Sequence, residues 1–297
     1  MSRPTPLIAW LEGVEADVAL VGGKAASLDR LAQLGFRIPP GFCLTTAAFE
    51  AQLAAIPGLA TDLAALPHEP ARERLTATFA STPLDPAVGA ALDEALGTLT
   101  ARLSALGGPT VGLAVRSSGI GEDSSAASYA GLHETELGVA PADVRAAVQR
   151  CWASLWSAPA LAYRQRRGLA LDGGGMAVVV QALVPADAAA VVFTRHPVTG
   201  RTDQLVLTAV HGLGDAMVAG TVTPDTWVVD RATRATVQYA AGDRVAGRDG
   251  PVLDDGLLGD LTHLALAVEA GFGQPVDIEA AAAAGSWYLL QARPITA

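Results

Sequence analysis

Four polar side chains near the C-terminus have the types and spacing to handle phosphate and a divalent cation. Val276-Asp277-Ile278-Glu279 and the run from Trp287 to Ile295 read as two short strands around a small-residue turn ending at Gly285. Strand side chains alternate between faces, so Asp277 and Glu279 share one face of the first strand, and Gln291 and Arg293 share one face of the second. Ile278, Leu290 and Ala292 are then expected in the core. Carboxylate and amide oxygens suit a hard divalent metal, and a guanidinium suits phosphate oxygens. The simpler reading is an exposed Glu–Arg cross-strand pair, worth roughly a few tenths of a kcal/mol.

Two more stretches could bind an anion. Val21-Gly22-Gly23-Lys24 precedes a helical pattern at Leu28, Leu31 and Ala32, with Gly35 as the residue that stops it. Glycines and a lysine opening a helix let backbone N–H groups and an ammonium approach phosphate. The spacing is not that of a P-loop, and a plain turn with a solvated lysine fits the same residues. Val111 to Val115 reads as an apolar strand that delivers Arg116 to the mouth of a Gly/Ser/Ala-rich loop running to Gly131. Such a loop can pack closely on a phosphate chain and act as a lid, or it can be a surface loop beside a solvated arginine.

The elements that must position these groups are legible in outline. Residues 132–139 form a returning strand with Thr135 near its middle. Met176 to Val180 is a buried strand that runs into Gln181 and a hinge at Pro185. Asp85-Pro86 starts an amphipathic helix with Val88, Leu92, Leu96 and Leu99 on one stripe, and residues 57–84 hold loops and one short helix. Asp143 starts a core helix carrying Trp152 and Trp156. Strands at 190–194, 204–209 and 226–229, an edge segment to Tyr239 and a helix from Leu257 to Gly271 give the second half an α+β character.

Composition sets the outer bounds. A length of 297 residues predicts two lobes. We place the boundary at 182/183, giving an N-terminal lobe 1–182 with a phosphate-covering loop over 117–131 and a C-terminal lobe 183–297. A net charge of −10 argues against a general nucleic-acid surface. No apolar run of about 18 residues is present to span a membrane, and the polar opening Met-Ser-Arg-Pro-Thr-Pro is no signal peptide. Cys43 and Cys151 stand alone, with no disulfide framework. A cytoplasmic protein is expected.

Lys24, Arg116, Thr135, Gln181 and the Glu279/Gln291/Arg293 set together suggest one ligand: cations for phosphates, a metal-binding carboxylate and a covering loop. The order of motifs resembles the ATP-binding domain of phosphoenolpyruvate synthase, pyruvate phosphate dikinase and rifampin phosphotransferase. The residues that carry it are Gly22-Gly23-Lys24, Pro39-Pro40-Gly41-Phe42, Val115-Arg116-Ser117-Ser118 and Val178-Val179-Val180-Gln181. Further along come Phe193-Thr194-Arg195, Gly212-Leu213-Gly214, Val222-Thr223-Pro224-Asp225, Asp277-Ile278-Glu279 and Leu290-Gln291-Ala292-Arg293-Pro294-Ile295. The resemblance implies a two-lobed α+β ATP-grasp fold with the nucleotide in the interlobe cleft. It implies that Lys24 and Arg116 hold ATP phosphates, that Thr135 lies beside the nucleotide, and that Gln181 leads into the adenine-receiving hinge. Glu279 and Gln291 would ligate Mg²⁺, and Arg293, with Lys24 and Arg116, would serve catalysis.

Ala25, Gly119-Ile120-Gly121, His133 and Asp215 depart from the family pattern without removing a named ligand. No phosphohistidine motif surrounds any of the five histidines. The resemblance implies that ATP is split to AMP and phosphate and that the β-phosphoryl group passes to a histidine; that histidine is here expected on a separate partner protein, which serves a small-molecule acceptor. A kinase acting directly on a small molecule and a non-catalytic nucleotide-binding module are the alternatives.

Overall fold

A computed structural model of the chain describes residues 5–13, 16–105, 112–120, 135–168, 170–171, 174–245 and 250–295. Most of the expected phosphate-covering loop, residues 121–131, lies outside these. The described residues divide into two compact units: one holds those up to Asp29 and from Pro40 to Leu183, the other Arg30–Pro39 and those from Val184 onward.

The first unit contains β1 (Ile8–Trp10), most of α1 (Val18–Gln33), β2 (Gly41–Leu44), α2 (Thr46–Ala55), α3 (Leu59–Ala64), α4 (Glu69–Ser81) and α5 (Pro86–Ala105). It continues with β3 (Leu113–Gly119), β4 (Thr135–Val139), α6 (Val144–Ala153), α7 (Ala158–Arg167) and β5 (Met176–Ala182). Its five strands form one antiparallel sheet in the order β1-β2-β5-β3-β4. Alternation sorts the central strands. Phe42, Leu44, Leu113, Val115, Met176, Val178 and Val180 pack into a core with Phe49, Phe79, Trp152 and Trp156. Cys43, Ala114, Arg116, Ser118, Val179 and Gln181 therefore take the opposite face.

Two expectations are corrected here. Residues 57–84 hold two helices, not one. Ala71, Leu75 and Phe79 are a buried stripe at helical spacing on α4, diluted in sequence by the charged residues around them. Arg116 does not stand at the mouth of a loop either. The strand continues through Ser117 and Ser118 to Gly119, because β5 pairs it all the way: Arg116 opposite Val179, Ser118 opposite Ala177 and Gly119 opposite Met176. The α5 helix starts as expected, with the Ala87 and Val88 amides donating to Asp85 Oδ1 at 2.9 and 3.2 Å.

The second unit contains β6 (Ala188–Phe193), β7 (Gln204–His211), α8 (Asp215–Val218), β8 (Asp225–Asp230), β9 (Thr236–Ala240), α9 (Asp255–Phe272), β10 (Val276–Ala283) and β11 (Ser286–Pro294). All its strands pair antiparallel in the order β11-β10-β6-β7-β8-β9. Helix α9 covers one face with Leu261, Ala265 and Val268, against Ala190, Val192, Leu207, Ile278 and Ala280. Asp254 caps it, accepting the Leu257 amide at 2.8 Å, and Gly273 ends it at φ +71°. The end of α1 belongs to this unit and closes as a Schellman motif: Phe36 N–H donates to Leu31 O and Gly35 N–H to Ala32 O, each at 3.0 Å.

The C-terminal hairpin turns at Ala284 and Gly285, with φ of +49° and +71°, the pattern of a type I′ turn. Ile278 and Ala292 reach the core as expected, but Leu290 does not; Leu289 takes that place. A bulge between Glu279 and Ala280 shifts the register, so that Gln291 opposes Glu279 while Leu289 opposes Ala280. The extra residue, Leu290, changes the phase of the alternation. The structure is therefore α+β, built of helices and antiparallel sheets. Among the described residues no helix is long and apolar enough to cross a membrane.

Candidate functional site

In the first unit, the glycine pair works by allowing contact. Gly22 has φ +73° and ψ 174°, which interrupts α1 and makes a fresh helical start at Gly23 and Lys24. A Cβ on Gly22 would lie 2.1 Å from the Ser118 carbonyl oxygen, so only glycine lets this turn meet β3. Ser118 fastens it: its hydroxyl donates to Val21 O at 2.8 Å and accepts the Ala25 amide at 3.2 Å. The Cys43 thiol lies 3.6 Å from the same Val21 oxygen; burial pushes that thiol far above its ordinary range, so it is a neutral packing group.

The helix start of Lys24 is thereby docked on the sheet face that carries Arg116, two residues before Ser118. Thr135 stands directly opposite Arg116 on β4. Gln181, nearly inaccessible at 2 %, lies between Gly41 and Ala114 on the same face. The structure thus brings Arg116, Thr135 and Gln181 to one face and mounts the Lys24 helix start upon it. A lysine and an arginine beside a helix start suit phosphate oxygens.

The second unit assembles the other three. Glu279 faces Gln291, and Asp277 faces Arg293, in consecutive rows of the hairpin. Arg293 stands opposite Asp277, a partner that the simpler reading of the sequence did not name. Its Nε and one Nη donate to Asp277 Oδ2 at 2.9 and 2.7 Å. Burial pushes the Asp277 carboxyl above the usual carboxylate range, against the pull of the Arg293 guanidinium and with the Glu279 charge adding to the rise. Arg293 is fixed by this grip with 30 % of its side chain still accessible.

Two supporting roles go beyond the expectation from sequence, that of Asp277 for Arg293 and that of Ser118 for the glycine turn. Strand periodicity contains a signal for both: Asp277 is two residues from Glu279, and Ser118 is two from Arg116.

Among the described residues there is no cluster of three or more His, Cys, Asp or Glu side chains fit to hold a metal alone. Glu279 and Gln291 offer two hard oxygen donors side by side. That set fits Mg²⁺, which commonly takes one or two carboxylates and completes its shell with phosphate oxygens and water.

Comparison with known proteins identifies the family. The family described as pyruvate phosphate dikinase, AMP/ATP-binding domain, matches residues 18–297. A probable phosphoenolpyruvate synthase from Methanothermobacter thermautotrophicus is 34% identical over 94% of this chain and 44% of its own length. A rifampicin phosphotransferase from Streptomyces sviceus is 37% identical over 95% of this chain and 35% of its own. The chain therefore spans less than half the length of these relatives. A D-alanine–D-alanine ligase from Helicobacter pylori overlaps 66% of this chain and 46% of its own at TM-score 0.28 and 10% identity, a likeness too slight to carry an argument. With the family match spanning all but the first 17 residues, the chain belongs to the pyruvate phosphate dikinase AMP/ATP-binding domain family.

Proposed function

We propose that the chain binds Mg²⁺-ATP and acts as the ATP-cleaving part of a phosphotransferase of the dikinase type, with an ATP-grasp mode of nucleotide binding. The observation that carries this reading is the pair of hairpin rows: an oxygen-donor pair, Glu279 and Gln291, beside a guanidinium braced by Asp277. Phosphoryl transfer is mostly positioning and charge neutralisation, and this row supplies a metal seat next to a fixed cation.

In this reading Glu279 and Gln291 hold Mg²⁺, which screens the phosphate charge. Arg293 takes the charge that develops on the transferring phosphoryl group. Lys24 and Arg116 hold phosphate oxygens from the first unit, Thr135 lies beside the nucleotide, and Gln181 flanks the adenine. The segment that follows Gly119, up to residue 131, serves as the cover. The names of the relatives, phosphoenolpyruvate synthase and rifampicin phosphotransferase, support phosphoryl transfer as the outcome.

The β-phosphoryl group goes to a histidine on a partner protein, and a small molecule is its final acceptor. The described histidines support an outside acceptor, since none is on the strands bearing the site residues: His68 precedes α4, His196 is in a turn, His211 ends β7 and His263 is on α9.

ATP labelled separately at its β and γ positions tests the proposal. With Mg²⁺ and candidate partner proteins, AMP and an acid-labile β-label on a partner are expected. ADP with a γ-labelled small molecule would replace this reading by that of a direct kinase. Tight ATP binding with no turnover under any condition would leave a nucleotide-binding module.

A further inference from the structure

The segment after β6 is tied down from several sides. Thr194 N–H donates to Val276 O at 3.0 Å, and Val276 N–H donates to Thr194 Oγ1 at 2.8 Å. Arg231 donates to Thr194 O at 2.6 Å and to Thr202 O at 2.8 Å, and pairs with Glu269 at 2.8 Å. His196 N–H donates to Arg201 O at 3.0 Å and its Nδ1 accepts the Val198 and Thr199 amides, each at 3.3 Å. Arg195, mounted in the middle of this frame, is different. Its Nε is buried with no hydrogen-bond partner, and its guanidinium enters no ion pair among the described residues. A buried donor left unpaired on a well-fixed backbone calls for a physical explanation.

Its place in the sheet supplies one. Ala188, Ala190 and Val192 face the core of the second unit, and buried Thr194 continues that row. Val191 and Phe193 face the other way, opposite Glu279 and Asp277 of β10. The strand ends at Phe193, opposite Asp277, and the chain bends at Thr194 and Arg195, so Arg195 stands two residues past the row of Asp277 and Arg293. Asp277 already has Arg293 as its partner, so Arg195 is not needed to neutralise it.

We propose that Arg195 is a further anion-binding residue of this face, donating from its guanidinium to an oxygen of a bound phosphate chain. The inference rests on the reading of this face as a Mg²⁺-polyphosphate site. A guanidinium with open donors on a well-fixed backbone is the group best shaped for that ligand.

Calorimetric titration of the full chain with Mg²⁺-ATP, AMP and inorganic tripolyphosphate, for Arg195→Met and Arg195→Lys, tests it. Mg²⁺-ATP and tripolyphosphate affinity is expected to fall about tenfold or more in Arg195→Met, with part recovered in Arg195→Lys. AMP affinity should change less than about twofold, and the melting temperature without ligand should hold, since the methionine removes an unpaired donor. Unchanged Mg²⁺-ATP and tripolyphosphate affinity in a folded variant overturns the proposal, as does a lowered melting temperature with affinity intact. If Arg195→Met does not fold, Arg195→Gln is measured by the same readouts. A wild-type chain that binds tripolyphosphate but neither nucleotide fails the ATP reading while Arg195 is still tested.

Discussion

The Asp277 carboxyl is buried on the hairpin face and held by two nitrogens of one guanidinium, so Arg293 has both a structural partner and an accessible surface. Substitution separates the two roles. Arg293→Met leaves a buried carboxyl unpaired and is expected to cost about 2 kcal/mol in urea unfolding, below the range for fully buried pairs because the guanidinium is partly solvated. Adding Asp277→Asn removes the orphaned charge and should return half or more of that stability. Turnover of ATP should be lost in both the single and the double variant. Recovery of turnover together with stability would show that Arg293 acts only as a structural partner.

At the scale of elements, the restart of α1 depends on a contact rather than on helix propensity. Gly22→Ala places a Cβ 2.1 Å from the Ser118 carbonyl at a positive φ, so backbone must move. Gly35 also has positive φ, at +82°, but nothing lies within 4 Å of its Cβ position. Gly35→Ala is expected to cost about 1 kcal/mol, the left-handed penalty alone. Gly22→Ala should cost roughly 3 kcal/mol or more and weaken Mg²⁺-ATP binding, checked by paired unfolding curves and titrations. Equal costs at the two positions would remove the docking role of Gly22.

The same element shows what the sequence could and could not tell. Gly-Gly-Lys before an apolar helical repeat revealed a helix start, and alternation put Glu279, Gln291 and Arg293 on one hairpin face. The partner of Gly22 was hidden, because Ser118 is 96 residues away and looks like loop composition. For the same reason β3 extends past Arg116: pairing with β5 overrides the weak strand preference of Ser-Ser-Gly. The bulge at Glu279 has no glycine or proline to announce it, so Leu289 and Leu290 could not be told apart from sequence.

Over the whole molecule each unit has its own apolar core, and the second also depends on a buried carboxylate, Asp225. Asp225 has a fully buried side chain that accepts the Gly242 and Val252 amides at 2.7 and 2.8 Å, Arg244 at 2.8 Å and the Tyr239 hydroxyl at 3.1 Å. It thereby gathers edge strand β9 and the segment leading to α9 onto β8. Burial works to raise its pKa, but the two amides, Arg244 and Tyr239 outweigh it and hold the carboxyl below the usual range. A depressed folded pKa gives stability that is fully present above the unfolded value of about 3.9 and is lost as pH falls through the folded value. Asp225→Asn should therefore cost roughly 1–3 kcal/mol in urea unfolding at pH 7, where the charged acceptor is replaced by a neutral amide. The gap between variant and wild type should narrow below about pH 4, as the wild-type carboxyl takes up its proton. Hydrogen exchange at those pH values should reach the amides of Gly242 and Val252 before those of β5 in the first unit, whose core holds no part of this network. A gap that stays constant from pH 7 to pH 3 would mean that Asp225 contributes by shape and packing, and its charge by nothing measurable.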